Sequence, residues 1–554
     1  MKELRTKYPN GNQTRDYEKD TGSLSKRRGR NGLIERIIEN WLTNTNERGY
    51  EIPFCQYLIS NGYTVLHLSS HGPMEQGKDI IATDPNGYPC AFQLKAGNID
   101  GNIWRRIKGE IDELIEIPIN YPKIRKDIPH RAAFVTNGTI SDKVRRDVDD
   151  RNYRLRQMGL PELEIVNGFE LIKRFIDVHG NFLPTQPSDF KLFLELFLSD
   201  GRELLNKKMF TEFLESIFST DTKKELELKR KIASNVLLTQ YVIQPYDSTV
   251  NHVSIIEGWI IFCSYLLGLI EKYSLSEEYW RQSYDIILQR INSQMKLLKT
   301  EFFSRKDLKE GDLDGGEFYR SRITMILGWL SAFELFQKRV KSEYEIDIRV
   351  YESIKEHYSK NTWFWGESST PLFIMMSLLT HEHGDEILSN NIILDLIIKI
   401  TSENNIEDGE GIPDPYISPN EIISYLYKLR DAEIDMSSFL GSSYHLEPLV
   451  DILVRRDKRN SINELWKYIS RFQNRGFKPE HPWMYFQWHC DKGEEYSRYY
   501  NATQSWKELR EKATASDDSM LPSILVKNPQ FAYYFLPCYP HRLNGYTIKL
   551  IDMS

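Results

Sequence analysis

The chain reads as an α/β N-terminal domain, residues 31–184, followed by a large all-α C-terminal region. Three observations predict this. Helix-period and strand-period segments alternate from Asn31 to Pro184. Beyond Pro184 the strand signals thin out, and apolar residues recur at i, i+3, i+4 spacing. Between two strand-like runs, Asp84-Pro85-Asn86-Gly87 carries a turn signature in which Pro presets φ and Gly accepts φ > 0.

Residues 1–30 are polar, lack periodicity and end in Lys26-Arg27-Arg28-Gly29-Arg30, so a flexible basic arm without signal-peptide character is expected. After Asn31, the residues Leu33, Ile34, Ile37, Ile38, Trp41 and Leu42 fall at helical spacing. A second helix begins near Tyr50 or Glu51, tolerates Pro53 in its first turn and stops at Asn61-Gly62. Tyr63 to Leu68 reads as a strand, and Ile80 to Ala82, directly after Asp79, as a short second one. Past the turn, Tyr88 to Lys95 is a third strand. Its alternation puts Ala91, Gln93 and Lys95 on one face and Cys90, Phe92 and Leu94 on the other. A helix over 104–116 bearing Arg105, Arg106 and Lys108 follows. Next come a strand at Arg131–Thr136, a charged helix at Ser141–Met158, a strand at Leu163–Val166 and a helix at Phe169–Val178.

If the hairpin pairs in this way, Asp79 lies near Gln93 and Lys95. A carboxylate, an amide oxygen and an ammonium then share a small volume, a set suited to Mg²⁺ and to positioning water. Any surface hairpin can also bring such residues together, so spacing alone leaves both readings open.

The ordered set from about Tyr50 to Phe175 resembles the Mrr-like branch of the PD-(D/E)XK nucleases, which have the restriction-endonuclease-like fold. The residues that carry the resemblance are Tyr50-Glu51, Gly62-Tyr63, Gly77-Lys78-Asp79 and Gln93-Leu94-Lys95. Val135-Thr136-Asn137-Gly138, a helix opening at Ser141 and a Leu163 to Gly168 strand leading to Leu171 follow in the same order. The resemblance implies an endonuclease that hydrolyses DNA phosphodiester bonds with Mg²⁺, Mn²⁺ being a substitute. Asp79, Gln93, the Leu94 backbone carbonyl and Glu51 would hold the ion, and Lys95 would act on the attacking water. Gln93 in place of a second carboxylate removes one negative charge from the site, as is typical of that branch. Glu35 and Glu39 are alternatives to Glu51. A prokaryotic restriction or anti-phage role follows as an expectation, with DNA as substrate and RNA left open. The partner is either a second copy or a separate defence protein. The rival is a nuclease-fold scaffold or nucleic-acid-binding subunit active only with a partner.

The rest of the composition constrains this reading without deciding it. A chain of 554 residues exceeds one core, and the expected helical domains are 185–410 and 411–554. Five scattered cysteines with no CxxC pair suggest neither a zinc module nor disulfides and fit a reducing cytoplasm. Gly258 to Ile270 is too short for a bilayer span, so a buried helix and no membrane segment are expected. The net charge is −7, but residues 1–184 hold 28 Lys and Arg against 25 Asp and Glu. The positive part therefore contains the hairpin. No Walker-type loop is present, which argues against an intrinsic NTPase. His71 and Glu75, the run His381–Glu386, the aromatic group Trp483, Tyr485, Phe486, Trp488, Tyr499 and Tyr500, and the basic run Arg455–Arg459 are secondary candidates. For these, loop, core or a solvated face is the favoured reading.

Overall fold

The computed structural model describes residues 32, 35–68, 77–122, 124, 125, 127–179, 186–217, 225–305, 316–429, 433–490, 492–515 and 521–552. The basic arm 1–30 and the pair His71 and Glu75 lie outside the described residues. The chain forms two compact units, Met1–Leu183 and Pro184–Ser554.

The first unit opens with helix α1 (residues 35–44), which buries Ile37, Ile38, Trp41 and Leu42. Helix α2 (Glu47–Ser60) is capped by Asn46, whose Oδ1 accepts from the Gly49 amide at 2.9 Å. It stops where expected, at Asn61-Gly62, with Gly62 at φ +83°. Strands β1 (Thr64–Leu68), β2 (Ile80–Thr83) and β3 (Pro89–Lys95) form a meander in which β2 pairs antiparallel with both β1 and β3. The β2–β3 turn closes as its sequence predicts. Asp84 Oδ1 accepts from the Asn86 and Tyr88 amides, both at 2.9 Å, and Gly87 takes φ +80°. Helix α3 (Gly101–Glu116) leads to β4 (Arg131–Thr136), and α4 (Asp142–Gln157) to β5 (Leu163–Val166), before α5 (Gly168–His179) ends the unit. Both β4 and β5 extend the sheet in parallel, giving the order β1-β2-β3-β4-β5. Each parallel step needs a crossover helix, which α3 and α4 supply.

The register Ile81↔Ala91↔Ala132↔Leu163 puts these four residues on one sheet face. They pack there with Trp104, Ile107, Ile111 and Leu114 of α3 and with Val144 and Val148 of α4. On the other face Phe92 meets Phe54 of α2 edge-on at 5.4 Å. The sheet is thus covered on both sides, and β3 is buried along its length except at half-buried Lys95. The polar front expected on β3 lies under α3, not open to solvent.

The second unit is mostly helical. Its central helix, His252–Tyr273, is long and apolar enough to cross a membrane by length and composition, yet 94% of its apolar window is buried within the protein. It packs on the helices Glu225–Ser248 and Glu277–Ser304. The helix Glu317–Val340 packs on both Thr370–Glu382 and Ala532–Cys538, so 185–410 and 411–554 belong to one compact unit.

The expectation of an all-α C-terminal region needs correction. Strands β6 (Ser442–Ser443), β7 (Gln473–Pro479) and β8 (Gly493–Arg498) form a three-stranded sheet. Apolar alternation could not reveal it, because β8 is exposed apart from half-buried Tyr496. Its specificity comes from the backbone ladder, from the Tyr496 ring lying against Gly476, where a Cβ would come within 2.4 Å of it, and from the Arg498–Glu447 ion pair at 2.5 Å.

The secondary candidates in this unit are occupied structurally. Arg455 pairs with Asp552 at 3.3 Å, Arg456 donates to Ser389 Oγ at 2.9 Å, and Lys458 meets Glu386 at 3.2 Å. Asp385 caps the helix Glu386–Glu403 through the Leu388 amide. Tyr485, Phe486, Trp488 and Tyr500 are buried, whereas Tyr499 is exposed. None of the five cysteines, all among the described residues, is in a disulfide.

Candidate active site

The site is built where β2 begins and β3 ends. The Asp79 amide donates to the Phe92 carbonyl at 2.9 Å, which places Asp79 beside Gln93 one step beyond the Ile80↔Phe92 pair. The Asp79 carboxylate turns toward the end of the central strand β3, where its Oδ2 accepts from the Leu94 amide at 2.6 Å. Asp79 is only 8% exposed. Burial pushes its carboxyl up to about 7, with smaller contributions from Glu51 and Glu47, against the opposing pull of the Leu94 amide and Lys95. Burial disfavours the ionised form of this carboxyl until a compensating positive charge is present, and perturbed carboxyls of this kind cluster at functional sites.

Gly77 and Lys78 explain the approach to Asp79. Gly77 lies at φ +70°, and a Cβ there would stand 2.4 Å from the Glu110 carbonyl oxygen of α3. Only glycine lets the chain run this close to α3. Lys78 is buried, with its ammonium donating to the Glu113 carbonyl at 3.0 Å and burial lowering its pKa to about 8. Gly77→Ala is therefore expected to cost about 2–4 kcal/mol, from positive-φ strain together with a backbone clash. A urea unfolding curve with an unchanged midpoint would contradict this account.

Gln93 and Lys95 project toward α3, and Glu110 meets both. Lys95 Nζ lies 2.8 Å from Glu110 Oε2, and Gln93 Nε2 donates to the same oxygen at 3.3 Å. Burial alone would lower the Lys95 pKa, but the bond to Glu110 and the nearby Glu47, Glu110 and Asp79 charges raise it overall. The Glu110 carboxylate also decides which way the Gln93 amide faces, since only its nitrogen can donate. Gln93 Oε1 is left buried with no hydrogen-bond partner among the described residues.

Two glutamates of α2 flank the site. Glu51 is 4% exposed, and Glu47, half-buried at the first position of α2, accepts from the Ala96 amide at 3.3 Å. Glu35 and Glu39 are exposed on α1. Between the two glutamates, the Tyr50 hydroxyl donates to the Lys95 carbonyl at 2.7 Å and ties α2 to the end of β3. The Leu94 carbonyl shares the strand edge on which its own amide meets Asp79.

Among the described residues, no group of three or more His, Cys, Asp or Glu forms a metal cluster. The oxygen donors in this region are the Asp79 carboxylate, the unpartnered Gln93 oxygen, the Leu94 backbone carbonyl and the α2 glutamates whose charges act on Asp79. All are oxygen donors, as a hard divalent cation requires.

The loop after β3 is held by the Val135-Thr136-Asn137-Gly138 segment. Asn137 Oδ1 accepts from the Gly97 amide at 2.6 Å, while its Nδ2 donates to the Leu42 and Thr45 carbonyls at 2.7 and 2.8 Å. A Cβ on Gly138 would lie 2.2 Å from the Gly97 carbonyl. This motif therefore positions the end of β3 against α1.

The structure has Gln93, Leu94 and Lys95 on β3, Asp79 directly before β2 and Glu51 on α2; sequence reasoning did not single out Glu110 or Glu47. The signal for Glu110 was present in α3. It borders the apolar stripe Trp104, Ile107, Ile111 and Leu114, at i+3 from Ile107 and i−4 from Leu114, so a helix covering β3 carries it over the strand end. No family model, curated protein or solved structure matches the chain.

Proposed function

We propose that the first unit is a metal-dependent endodeoxyribonuclease with the restriction-endonuclease-like fold of the PD-(D/E)XK superfamily, closest in its motifs to the Mrr-like branch. The observation that carries the reading is the meeting of Asp79, the unpartnered Gln93 oxygen and the Lys95 ammonium at one end of the β2–β3 hairpin. Asp79, Gln93 Oε1, the Leu94 carbonyl and Glu51 would hold Mg²⁺ or Mn²⁺. The ion, when bound, supplies charge neutralisation at the phosphate and activation of water. Lys95 orients the attacking water and counters the charge that develops on the phosphate. Glu110 holds the Lys95 ammonium and accepts from the Gln93 amide nitrogen, which would leave the Gln93 oxygen available to an ion.

A nuclease of this kind suits a cytoplasmic effector of prokaryotic restriction or anti-phage defence, with the helical region gating cleavage or driving assembly with a second copy or a separate defence protein. The engagement of Lys95 by Glu110 favours a second reading, a nuclease-fold subunit that cuts or binds nucleic acid only within a larger complex. One experiment separates the two. Purified protein is incubated with plasmid, linear DNA and RNA, in Mg²⁺ or EDTA. DNA cutting in Mg²⁺ alone, lost in Asp79→Ala and Lys95→Ala, is the expected result. Cutting that persists in both variants removes this site from consideration, and a silent wild type favours the partner-dependent reading.

A further inference from the structure

Helix α3 carries its charges in the reverse of the order its own dipole favours. Gly101–Gly109 contains Arg105, Arg106 and Lys108 and no acid, whereas Glu110, Asp112, Glu113 and Glu116 occupy the rest of the helix. Acids stabilise a helix N-terminus and cations its C-terminus, so this order weakens the isolated helix. Its effect is to concentrate positive charge toward one end of α3.

The three cations are exposed, and none has an ion-pair partner among the described residues. Other cations of the first unit pair with acids: Arg131 with Asp84 at 3.1 Å, Arg151 with Asp112 at 2.6 Å and Arg174 with Glu164 at 2.8 Å. The nearby Asp100 carboxylate is engaged by the backbone, its Oδ1 accepting from the Asn102 and Ile103 amides, both at 2.8 Å. Lys143 of α4, also exposed, reaches the same end of α3. Its Cδ lies 3.1 Å from where a Cβ on Gly101 would stand.

This strip leads to the candidate active site. Arg106 stands one helical turn before Glu110, the residue that meets Lys95 and Gln93. Gly109, at i+4 from Arg105 and i+3 from Arg106, is exposed in mid-helix, and a Cβ there would touch nothing. Packing does not require glycine at this position, and alanine would favour the helix. A bare backbone here lets an extended ligand lie close against α3. From Arg105 to Lys108 the helix rises about 4.5 Å, close to the ~3.4 Å axial spacing of phosphates along one DNA strand.

We infer that the exposed face of α3 binds the DNA backbone, with Arg105, Arg106 and Lys108 on phosphates and Gly109 admitting the strand beside Lys95. The choice of DNA rests on the nuclease reading. The test is a fluorescence anisotropy titration of a labelled duplex with the full chain in EDTA, between about 50 and 200 mM salt. The wild type is expected to bind with log affinity falling linearly in log salt. The double variant Arg106→Gln/Lys108→Gln should bind more weakly and flatten that slope by about two, one for each lost phosphate contact. Arg156→Gln removes the same kind of charge from a cation paired with Glu162 at 3.4 Å, and should leave the slope in place. Gly109→Leu should melt no lower than the wild type yet lose duplex affinity. An unchanged slope in the double variant, an equal change per residue in Arg156→Gln, a folded Gly109→Leu with wild-type affinity, or no duplex binding by the wild type would each overturn the inference. Because binding is read without a metal, the expected slopes in a protein that never cuts would uphold this face and count against the nuclease reading alone. Cutting with an unmoved slope would count against this face alone.

Discussion

Asp79→Asn is expected to abolish Mg²⁺-dependent cleavage, by about 10³-fold or more, and at the same time to raise the thermal stability of the metal-free protein at pH 8. The two effects have one cause. Burial raises the Asp79 carboxyl to about 7, from an unfolded value near 3.9. A group whose folded pKa is raised in this way contributes stability that is fully present below about pH 4 and lost as pH rises through about 7. At pH 8 the buried charge costs about 4 kcal/mol before any cation binds. Asparagine keeps an acceptor for the Leu94 amide and carries no charge. Its stability advantage, read by calorimetric melts in EDTA, should narrow as pH falls toward 5. Mg²⁺ should stabilise the wild type and leave the variant unmoved, and wild-type cleavage should rise with pH through about 7. An asparagine variant less stable than the wild type at pH 8 would mean that the Leu94 bond to the charged carboxylate outweighs the burial penalty.

Lys95→Met should lower DNA cleavage by about 10²–10³-fold, the scale for losing one electrostatic group at a developing charge. Glu110→Gln should have a smaller effect with a characteristic pH signature. Burial pulls the Lys95 pKa down, and the bond to Glu110 leads the interactions that reverse this. The raised cation contributes its interaction energy below its ordinary pKa and loses it as pH rises through the folded value. Without the Glu110 charge, Lys95 deprotonates at lower pH, so the alkaline limb of the cleavage profile moves down. Single-turnover rates across pH provide the measurement. A merely structural role for Glu110 would depress all pH values alike and leave the limb in place.

Much of the first unit was legible because its physics is local. The Asp84-Pro85-Asn86-Gly87 turn closes on its own side chain and its own glycine. The alternation on β3 survives because a strand has period two whatever covers it. The Gly77-Lys78-Asp79 motif could be located from sequence, but its reason could not. Gly77 is required by the backbone of α3, more than thirty residues later. Strands β7 and β8 left no periodic trace, since one is stabilised by its ladder and the other is mostly exposed.

By itself, the sequence determined the order of helices and strands in the first unit, the hairpin, and which residue types stand at the ends of β2 and β3. Only the tertiary structure decided the electrostatic state of the site and the identity of its supporting residues. It buried Asp79, set Glu110 against Lys95 and Gln93, and brought Glu47 of α2 to the Ala96 amide past the end of β3. The physical reason is that periodicity records which face of an element is apolar. Desolvation and charge pairing depend instead on distances between elements remote in sequence.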